Sequence, residues 1–520
     1  LAILARRPRA VARMEVRSGR SRFVVDGKLV PPSFYVSPFH TPDQAQIGDF
    51  RDAGVRVYLV PLVLGRGVYS ERGPWLGPGR YDFAEVDERL RRVLSVDPEG
   101  YVIFYLGCDP YRDWGQDNPD DVTQDQNGLK AIVQMHPKRW GGTPEAGERY
   151  APSLVSERLR EDTAVALREL VATVRGSVLG KAVIGYHIAG SNDGQWFQWT
   201  RLVETDLHLA DYCPGAQKSF RNWLRRLYGD DVTALRQAWK RPEVTFETAT
   251  VPPADRSWTD GFFVDPAGAQ DVIDHNRFYS EGVAETVLYL ARALREATDG
   301  QALLSTYYED ITCNSANHIA LGRLLASADI DYLAGPAAYG VRMPGNCGAI
   351  RSVFGSVLQH GKMYLTEQDW RSWHSVPNTP VNNAAWGRAE TGAAHNAMVR
   401  RESGMMLAYG MGTWWYDMSG GWFRDDQIMA GIAEARAAFT EDLGTRGPPR
   451  ADMAVFVSEA ADHALYGAAA SQVRFQGVVQ QVYSLNTSGV PYSLYLLDDL
   501  PTINATRHRL FLFLNCYRFN

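Results

Sequence analysis

Carboxylate and aromatic side chains are concentrated in the segment 364–373. Glu367 is followed there by Asp369 and Arg371, and Trp370 and Trp373 flank the arginine. A carboxylate can attack the anomeric carbon of a glycoside, an arginine can keep a neighbouring carboxylate ionised, and an indole ring can stack on a sugar. The alternative is that these charged residues only form a salt bridge at the end of a strand, but such a salt bridge would not require the two tryptophans. We therefore predict that Glu367 is a catalytic nucleophile, and that Asp369 and Arg371 orient it and bind substrate.

A second polar and aromatic segment, 190–199, offers a proton donor. Glycines let the chain turn tightly there, and Asn192 and Asp193 precede Gln195 and Trp196. Glycoside cleavage needs a second carboxyl group, about 5–5.5 Å from the first for retention and roughly 6.5–9.5 Å for inversion. An Asp-Gly turn without a function is the alternative. We predict that Asn192, Gln195 and Trp196 bind the sugar, and Asp193 is a candidate for the acid.

Three other segments carry candidate substrate contacts. Trp414 and Asp417 belong to the aromatic segment 412–423, whose composition suits the floor of a sugar subsite with a carboxylate to accept from hydroxyls. Tyr308 and Tyr339 are predicted to contact substrate from neighbouring loops. Glu309 is a rival for the role of the acid.

Eight short apolar runs, separated by amphipathic stretches, predict the framework that positions these residues. This alternation is typical of a parallel α/β fold, and eight strands are the number that closes a (β/α)8 barrel, where the loops after the strands build the active site. His187, within the fourth run, is interpreted as a core residue rather than a catalyst. The predicted strands are 33–36, 55–61, 101–107, 182–189, 302–308, 330–334, 362–367 and 412–416.

The chain is predicted to contain two domains. We expect the barrel over 31–445, after an N-terminal extension of 1–30, with a long insertion at about 190–300 that shapes a cleft or forms a peripheral subdomain. A Gly-Pro-Pro-Arg break precedes a second strand-helix series, which predicts another α/β domain over 450–520. Because the sequence stops after an apolar strand without a return helix, we expect this second domain to be truncated.

The composition excludes several classes of partner. The net charge of -6 and the pI near 6.0 come from interspersed charges, so neither a nucleic acid nor an anionic membrane is expected as a partner. No apolar run reaches 18 residues, and the five cysteines include no CxxC pair, so no membrane span, metal or cofactor is predicted. A neutral oligosaccharide or glycoside is the expected substrate. The location, cytoplasmic or secreted from a bacterium, stays open.

Three further motifs are distributed along the chain. They are Tyr81-Asp82-Phe83 leading to Asp87, the helical segment 220–229 followed by Leu235 and Ala238-Trp239, and the segment 414–422. Together they resemble family 42 of the glycoside hydrolases, which are β-galactosidase-like barrels followed by a flavodoxin-like trimerisation domain. The resemblance covers most of the chain. It implies a nucleophile at Glu367, an acid in the loop after the fourth strand, a partial flavodoxin-like domain at 450–520, and a homo-trimer.

The acid loop departs from the family pattern. Related proteins often read Gly-Glu-Trp or Asn-Glu, whereas this chain reads Gly194-Gln195-Trp196, and a glutamine amide does not titrate in this range. Asp193 as the acid, Gln195 as a replaced glutamate, and Glu309 as the proton source stay open as explanations.

We predict a retaining, exo-acting hydrolase of a terminal β-linked sugar, which the resemblance implies to be galactose. A carbohydrate-binding barrel that is non-catalytic or lacks its acid/base is the alternative. A barrel that acts on acidic polysaccharide would be expected to carry more arginine and lysine at its strand ends.

Overall fold

Eight parallel strands close into a barrel, as predicted from the apolar runs. The computed structural model describes residues 2–40, 42–66, 73–133, 139–191, 194–197, 211–257, 261–309, 318–466 and 472–518. The strands are almost completely buried because the barrel fills their inner face and helices cover the outer one. In chain order, the first to eighth barrel strands are Ser33–Val36, Val57–Val63, Tyr101–Gly107, Val183–Ala189, Leu303–Thr306, Tyr332–Pro336, Met363–Gln368 and Gly412–Tyr416.

A helix follows each barrel strand and packs on the outside of the barrel. Several of these helices begin at a side chain that accepts a backbone N–H, such as Ser156, which accepts from Leu159, and Thr391, which accepts from Ala394. The helices are Gln44–Asp52, Ala84–Leu94, Glu157–Gly176, Pro266–Ala297, Leu321–Ala326, Phe354–Gln359, Gly392–Tyr409 and Asp426–Asp442.

The connection after the fourth strand contains three additional helices, Pro214–Leu227, Val232–Trp239 and Ala254–Ser257. Asp274, on the fourth barrel helix, accepts hydrogen bonds from Trp239 Nε1 at 2.8 Å and from Tyr228 Oη at 2.6 Å, which hold this segment against the barrel. The barrel helix itself begins at Pro266, inside the insertion predicted at about 190–300. The additional segment is therefore shorter than the sequence pattern predicts.

An N-terminal antiparallel sheet closes one end of the barrel. Its strands are Ala12–Arg17, Arg20–Val25 and Lys28–Val30. The Phe23 ring lies 5.1 Å from Phe34 of the first barrel strand and 5.3 Å from Tyr332 of the sixth. Both partners lie at or near the beginnings of their strands. The opposite end, at which the strands finish, is therefore the one left for a site.

Short strands and helices also occur in the loops that connect the main elements. Among the described residues, these are the strands Trp75–Gly77, Arg80–Tyr81, Ala131–Val133, Arg139–Trp140 and Arg149–Tyr150, and the helices Ala2–Arg6, Trp114–Asp117 and Pro380–Trp386. No helix in the described part of the chain is both long and apolar enough to cross a membrane.

The C-terminal segment forms a three-stranded parallel sheet. Its first strand, Met453–Val457, lies between Tyr492–Leu496 and Leu510–Phe513, with the helices Glu459–His463 and Gln480–Thr487 between strands. The carboxylate of Glu459 accepts from the backbone N–H groups of Leu321 and Gly322, so this sheet is joined to the fifth barrel helix. The flavodoxin-like identity of 450–520 stays a prediction.

Candidate active site

Glu367 lies at the C-terminal end of the seventh barrel strand, where barrel enzymes concentrate their chemistry. Its side chain is buried, and its Oε2 accepts a hydrogen bond of 2.7 Å from the hydroxyl of Tyr307. Tyr307 directly follows the fifth strand, so two separate strand ends converge on this carboxylate. Such a contact fixes the side chain at the mouth of the barrel.

Opposing influences act on the proton affinity of Glu367. Burial, together with the negative charge of Asp369, raises the pKa of Glu367 to about 8, while the Tyr307 hydroxyl and the guanidinium groups of Arg342 and Arg351 act to lower this pKa. Burial and the Asp369 charge therefore oppose ionisation of Glu367, whereas Tyr307 and the two arginines favour it.

Asp369 is the centre of a network of cations beside Glu367. Its carboxylate pairs with Arg342 Nη1 at 2.5 Å and with Arg371 Nη1 at 3.3 Å, and it accepts from the Tyr339 hydroxyl at 3.3 Å. Arg342 is completely buried and stacks on the Tyr339 ring at 3.9 Å. Arg371 packs between the rings of two tryptophans, Trp386 and Trp422, at 4.7 and 5.3 Å. The two arginines therefore orient Asp369, and Glu367 depends on Tyr307 instead.

Tyr339 is the predicted contact residue that is most open to solvent in this network. Its side chain is 37% exposed, whereas that of Asp369 is 2% exposed. A partly exposed tyrosine whose hydroxyl lies beside a carboxylate suits contact with a sugar. The arrangement is compatible with the predicted role of Tyr339 at the rim of a substrate site.

Aromatic rings fill the barrel beneath Glu367. Trp414 is its direct neighbour on the eighth strand, and the Trp414 ring lies 5.7 Å from that of Tyr307. The His187 ring contacts both, at 4.9 and 4.6 Å, and its Nδ1 pairs with Ser305 Oγ at 2.9 Å. Burial lowers the pKa of His187 to about 3, so it stays neutral. The core role predicted for His187 matches these contacts.

Trp414 differs from the prediction in one respect. Its side chain is completely buried. A sugar therefore has no open face of this indole ring on which to stack. Trp414 supports the floor of the site from below.

The loop after the fourth strand is described in part. Asn192 and Asp193, the predicted contact and acid residues, lie outside the described residues. Gln195 is partly exposed, and its backbone carbonyl pairs with His318 Nε2 at 2.8 Å. Trp196 is buried, and its Nε1 donates to the hydroxyl of Thr306 at 3.1 Å. Trp196 is therefore not open to solvent for the predicted contact with the sugar, because this side chain anchors the loop to the fifth strand.

Two other predicted contacts face away from a substrate. The Tyr308 hydroxyl donates to the carbonyl of Ser280 at 2.9 Å, so this side chain points to the helix layer while Tyr307 faces the barrel. The Asp417 carboxylate accepts from the backbone N–H groups of Gly420 and Gly421 at 2.9 Å each, and it is completely buried. Asp417 fixes its own turn, and neither residue is placed to contact a sugar.

Glu309, the rival acid, is completely buried. Its carboxylate packs so closely against Gly335 of the sixth strand that no side chain could be accommodated there. Tyr105, on the third strand, is a site residue that the sequence analysis missed, and its ring lies 5.9 Å from that of Tyr307. An aromatic residue in an apolar run carries no signal that separates a site role from a core role. Among the described residues, no cluster of histidine, cysteine and carboxylate side chains could hold a metal ion.

Comparisons with known proteins agree with this geometry. Residues 192–416 match the model of glycoside hydrolase family 42, described as β-galactosidase. A search of curated proteins gave no match. Among solved structures, the β-galactosidase of Halorubrum lacusprofundi has a TM-score of 0.59 at 15% identity, with 92% of this chain and 68% of that chain covered.

Two further solved structures are similar to this chain to the same degree. The β-galactosidase of Rahnella sp. R3 has a TM-score of 0.57 at 14% identity, with 93% of this chain and 67% of that chain covered. A GH42 β-galactosidase from G. stearothermophilus has a TM-score of 0.58 at 17% identity, with 92% and 67% covered. At such identities the likeness establishes the fold.

A closed (β/α)8 barrel with a buried glutamate at the end of its seventh strand is the arrangement expected of a barrel glycoside hydrolase. The match over 192–416 adds a resemblance to glycoside hydrolase family 42 in that part of the chain. The fold and this match together support a β-galactosidase-like glycoside hydrolase.

Proposed function

We propose that the protein is a retaining, exo-acting β-galactosidase that removes a terminal β-linked galactose from an oligosaccharide or glycoside. The observation that carries this proposal is the position of Glu367, which is buried at the end of the seventh strand and held by Tyr307 at 2.7 Å. The family match and the names of the structural relatives support galactose as the sugar.

The proposed reaction has two steps. In the first, ionised Glu367 attacks the anomeric carbon while a second carboxyl group gives its proton to the leaving glycosidic oxygen, so that the carbon–oxygen bond breaks and a glycosyl-Glu367 ester forms. In the second step, the second carboxyl group, which is now ionised, takes a proton from a water molecule. The oxygen of that water attacks the anomeric carbon and displaces Glu367. Two inversions at one carbon give net retention.

We assign the proton-donor role to Asp193, the carboxyl group nearest in sequence to the end of the fourth strand. Burial of Glu309 against Gly335 favours Asp193 over that rival, because the donor must reach the leaving oxygen. In this proposal Asn192 and Gln195 contact the sugar from the same loop, and Tyr339, Asp369 and Arg371 contact it from the opposite side.

The stereochemistry and the sugar can be tested directly. Purified protein would be screened against nitrophenyl β- and α-glycosides of several sugars, and the anomer released first would be identified by proton NMR. We expect β-galactoside cleavage with release of β-galactose. Release of α-galactose would contradict retention, and faster cleavage of another glycoside would contradict galactose as the preferred sugar.

The two catalytic roles can be separated by azide rescue with dinitrophenyl β-galactoside. Glu367→Ala should lack turnover until azide attacks from the opposite face and forms the α-galactosyl azide. Asp193→Ala should lose about 10²–10⁴-fold with poor leaving groups, and azide should then form the β-galactosyl azide from the covalent intermediate. Glu309→Gln is the matched control. Formation of the β-azide by the Glu309 variant, and not by the Asp193 variant, would move the acid role to Glu309.

Gln195→Glu tests whether position 195 is a vacated acid position. We expect little change in kcat, because we assign the proton transfer to Asp193. A gain of two or more orders of magnitude would show that Gln195 replaces the acid.

A homo-trimer is part of the proposal through the family resemblance alone. Sedimentation velocity of the purified chain would measure its mass in solution. A species of three times 58.0 kDa is the expected result, and a monomer at micromolar concentration would contradict it.

A further inference from the structure

A polar pocket lies on the outer side of the barrel, away from the candidate active site at Glu367. It is enclosed by the helices Glu157–Gly176, Pro214–Leu227, Pro266–Ala297 and Leu321–Ala326. Its volume is about 230 Å³. That is several times the roughly 30 Å³ of one water molecule and just below the approximate range of 300–1,000 Å³ typical of pockets for larger ligands. A molecule about the size of one sugar ring would fit.

Three carboxylates line the pocket, and each has a cation beside it. Glu157 pairs with Lys218 at 2.9 Å, and Glu281 pairs with Arg323 at 2.6 Å. Glu285 lies 4.0 Å from the same Arg323. The acidic side of the pocket is therefore compensated by the protein itself.

Two arginines that line the same pocket make no direct ion pair among the described residues. Arg160 donates from Nε to the Thr286 hydroxyl at 2.8 Å and from Nη2 to the carbonyl of Gly282 at 2.9 Å, and both acceptors are uncharged. Arg226 is exposed and makes no side-chain hydrogen bond or ion pair within the described ranges. Burial lowers the pKa of Arg160, the carboxylates of Glu285 and Glu157 act to raise this pKa, and the positive charge of Arg226 acts to lower it. Arg160 is partly buried, and buried charges are normally paired, so the absence of a direct ion pair for Arg160 in the described part of the chain leaves room for an anion.

A hydroxyl without a partner lines the pocket as well. Ser219 is 6% exposed, and among the described residues its Oγ has no hydrogen-bond partner. Buried polar atoms are usually satisfied, and an unsatisfied one points to a missing ligand or water. Trp223 adds an aromatic wall, and its Nε1 is already engaged by Glu281 at 2.7 Å.

We propose that this pocket binds a small oxyanion, the phosphate or carboxylate group of a molecule about the size of one sugar ring. Arg160 and Arg226 supply the charge, because planar guanidinium groups bind such anions through paired hydrogen bonds. The site is separate from the proposed hydrolytic centre and does not depend on its chemistry.

Isothermal titration of the full chain in a phosphate-free buffer tests the proposal. The probes are inorganic phosphate, glucose 6-phosphate, glucuronate and, as the neutral comparison, glucose. We expect at least one of the anions to bind and glucose to show no heat. Comparing phosphate with glucuronate identifies which oxyanion the pocket prefers. Absence of binding by all three anions at millimolar concentration would overturn the proposal, and so would equal binding of glucose and glucose 6-phosphate.

Variants locate the site. Arg226→Ala should weaken binding of the preferred anion about tenfold, as expected for the loss of one charged hydrogen-bond donor. Arg225→Ala is the matched control, because Arg225, the neighbour of Arg226 on the same helix, pairs with Asp230 and Glu247 outside the pocket. Ser219→Leu should fill the cavity and abolish binding. Equal affinities for the two arginine variants would place the anion elsewhere.

Galactoside hydrolysis is measured in parallel, so that the two proposals fail independently. Arg226→Ala should hydrolyse substrate like the unchanged protein. If the unchanged protein binds the anion but does not hydrolyse galactosides, only the proposed β-galactosidase activity is contradicted.

Discussion

The hydrogen bond from Tyr307 to Glu367 predicts a specific change in the pH dependence of hydrolysis. Tyr307→Phe removes a donor 2.7 Å from the carboxylate while it keeps the ring. A hydrogen bond to a charged group contributes about 1.5–3 kcal/mol, and one pKa unit corresponds to about 1.4 kcal/mol, so the loss amounts to about 1–2 units. The hydroxyl stabilises the ionised form, and its removal therefore raises the pKa of Glu367. Because the nucleophile must be ionised, the acid limb of kcat/KM should move upward by about 1–2 pH units.

Asp369→Asn should move the same limb in the opposite direction. The negative charge of Asp369 raises the pKa of Glu367, so its removal lowers that pKa. The substitution also releases the charge of Arg342, which favours ionised Glu367. The acid limb should therefore move to lower pH.

Both shifts would be measured as kcat/KM for a nitrophenyl β-galactoside between pH 5 and 10, with thermal unfolding of each variant as a check of folding. Tyr308→Phe is the matched control, because its hydroxyl contacts Ser280 in the helix layer, and its acid limb should not move. If the Tyr307 and Asp369 variants shift the limb in the same direction, or if neither shifts it, the electrostatic account of Glu367 is refuted.

Further predictions concern stability. Burial raises the pKa of Glu459 to about 8, so the fold is destabilised as pH rises from the unfolded pKa of this residue toward 8. Glu459→Gln removes this effect. The free energy of unfolding in urea should therefore fall less steeply with pH in the variant, by up to about 1.4 kcal/mol per pH unit over that range. An unchanged pH slope would contradict this effect. Gly335→Ala should destabilise by about 1–3 kcal/mol, because the methyl group meets the carboxylate of Glu309. Gly404→Ala, with open space around it in an exposed part of a helix, should stabilise by about 0.5–1 kcal/mol, and equal effects of the two substitutions would show that packing at 335 was misjudged.

Much of the barrel can be predicted from the sequence, because its strands are buried on both faces and appear as continuous apolar runs. The helices that follow are equally visible, since their apolar residues recur at helical spacing and side chains such as Ser156 cap them. The N-terminal sheet is harder to predict. Its strands are short, and the contact of Phe23 with Tyr332 joins residues more than 300 positions apart. Packing between residues so far apart in the chain produces no local sequence pattern from which this sheet could be predicted.

Some of the site residues can also be predicted from the sequence, and others cannot. Glu367 can be predicted because a carboxylate at a strand end faces the mouth of a barrel. Tyr307 and Tyr308 are adjacent and of one type, and only the course of the chain after the fifth strand decides which one faces the barrel. Asp417 and Trp196 look like sugar contacts in the sequence, but backbone groups and a buried hydroxyl take their polar atoms. Partners of this kind become visible only in three dimensions.

The contacts of the loop after the fourth strand connect the two proposed catalytic elements. Gly194 lies so close to Tyr105 that an added Cβ would be 2.9 Å from the Tyr105 hydroxyl, and the backbone N–H of Gly190 donates to the Gly194 carbonyl at 3.1 Å. The Tyr105 ring in turn neighbours Tyr307, which binds Glu367. Main chain on both sides of positions 192 and 193 is thus held next to the rings that surround the nucleophile. Glu309 instead packs against the sixth strand, and this difference in location is the physical reason to seek the acid in the fourth-strand loop.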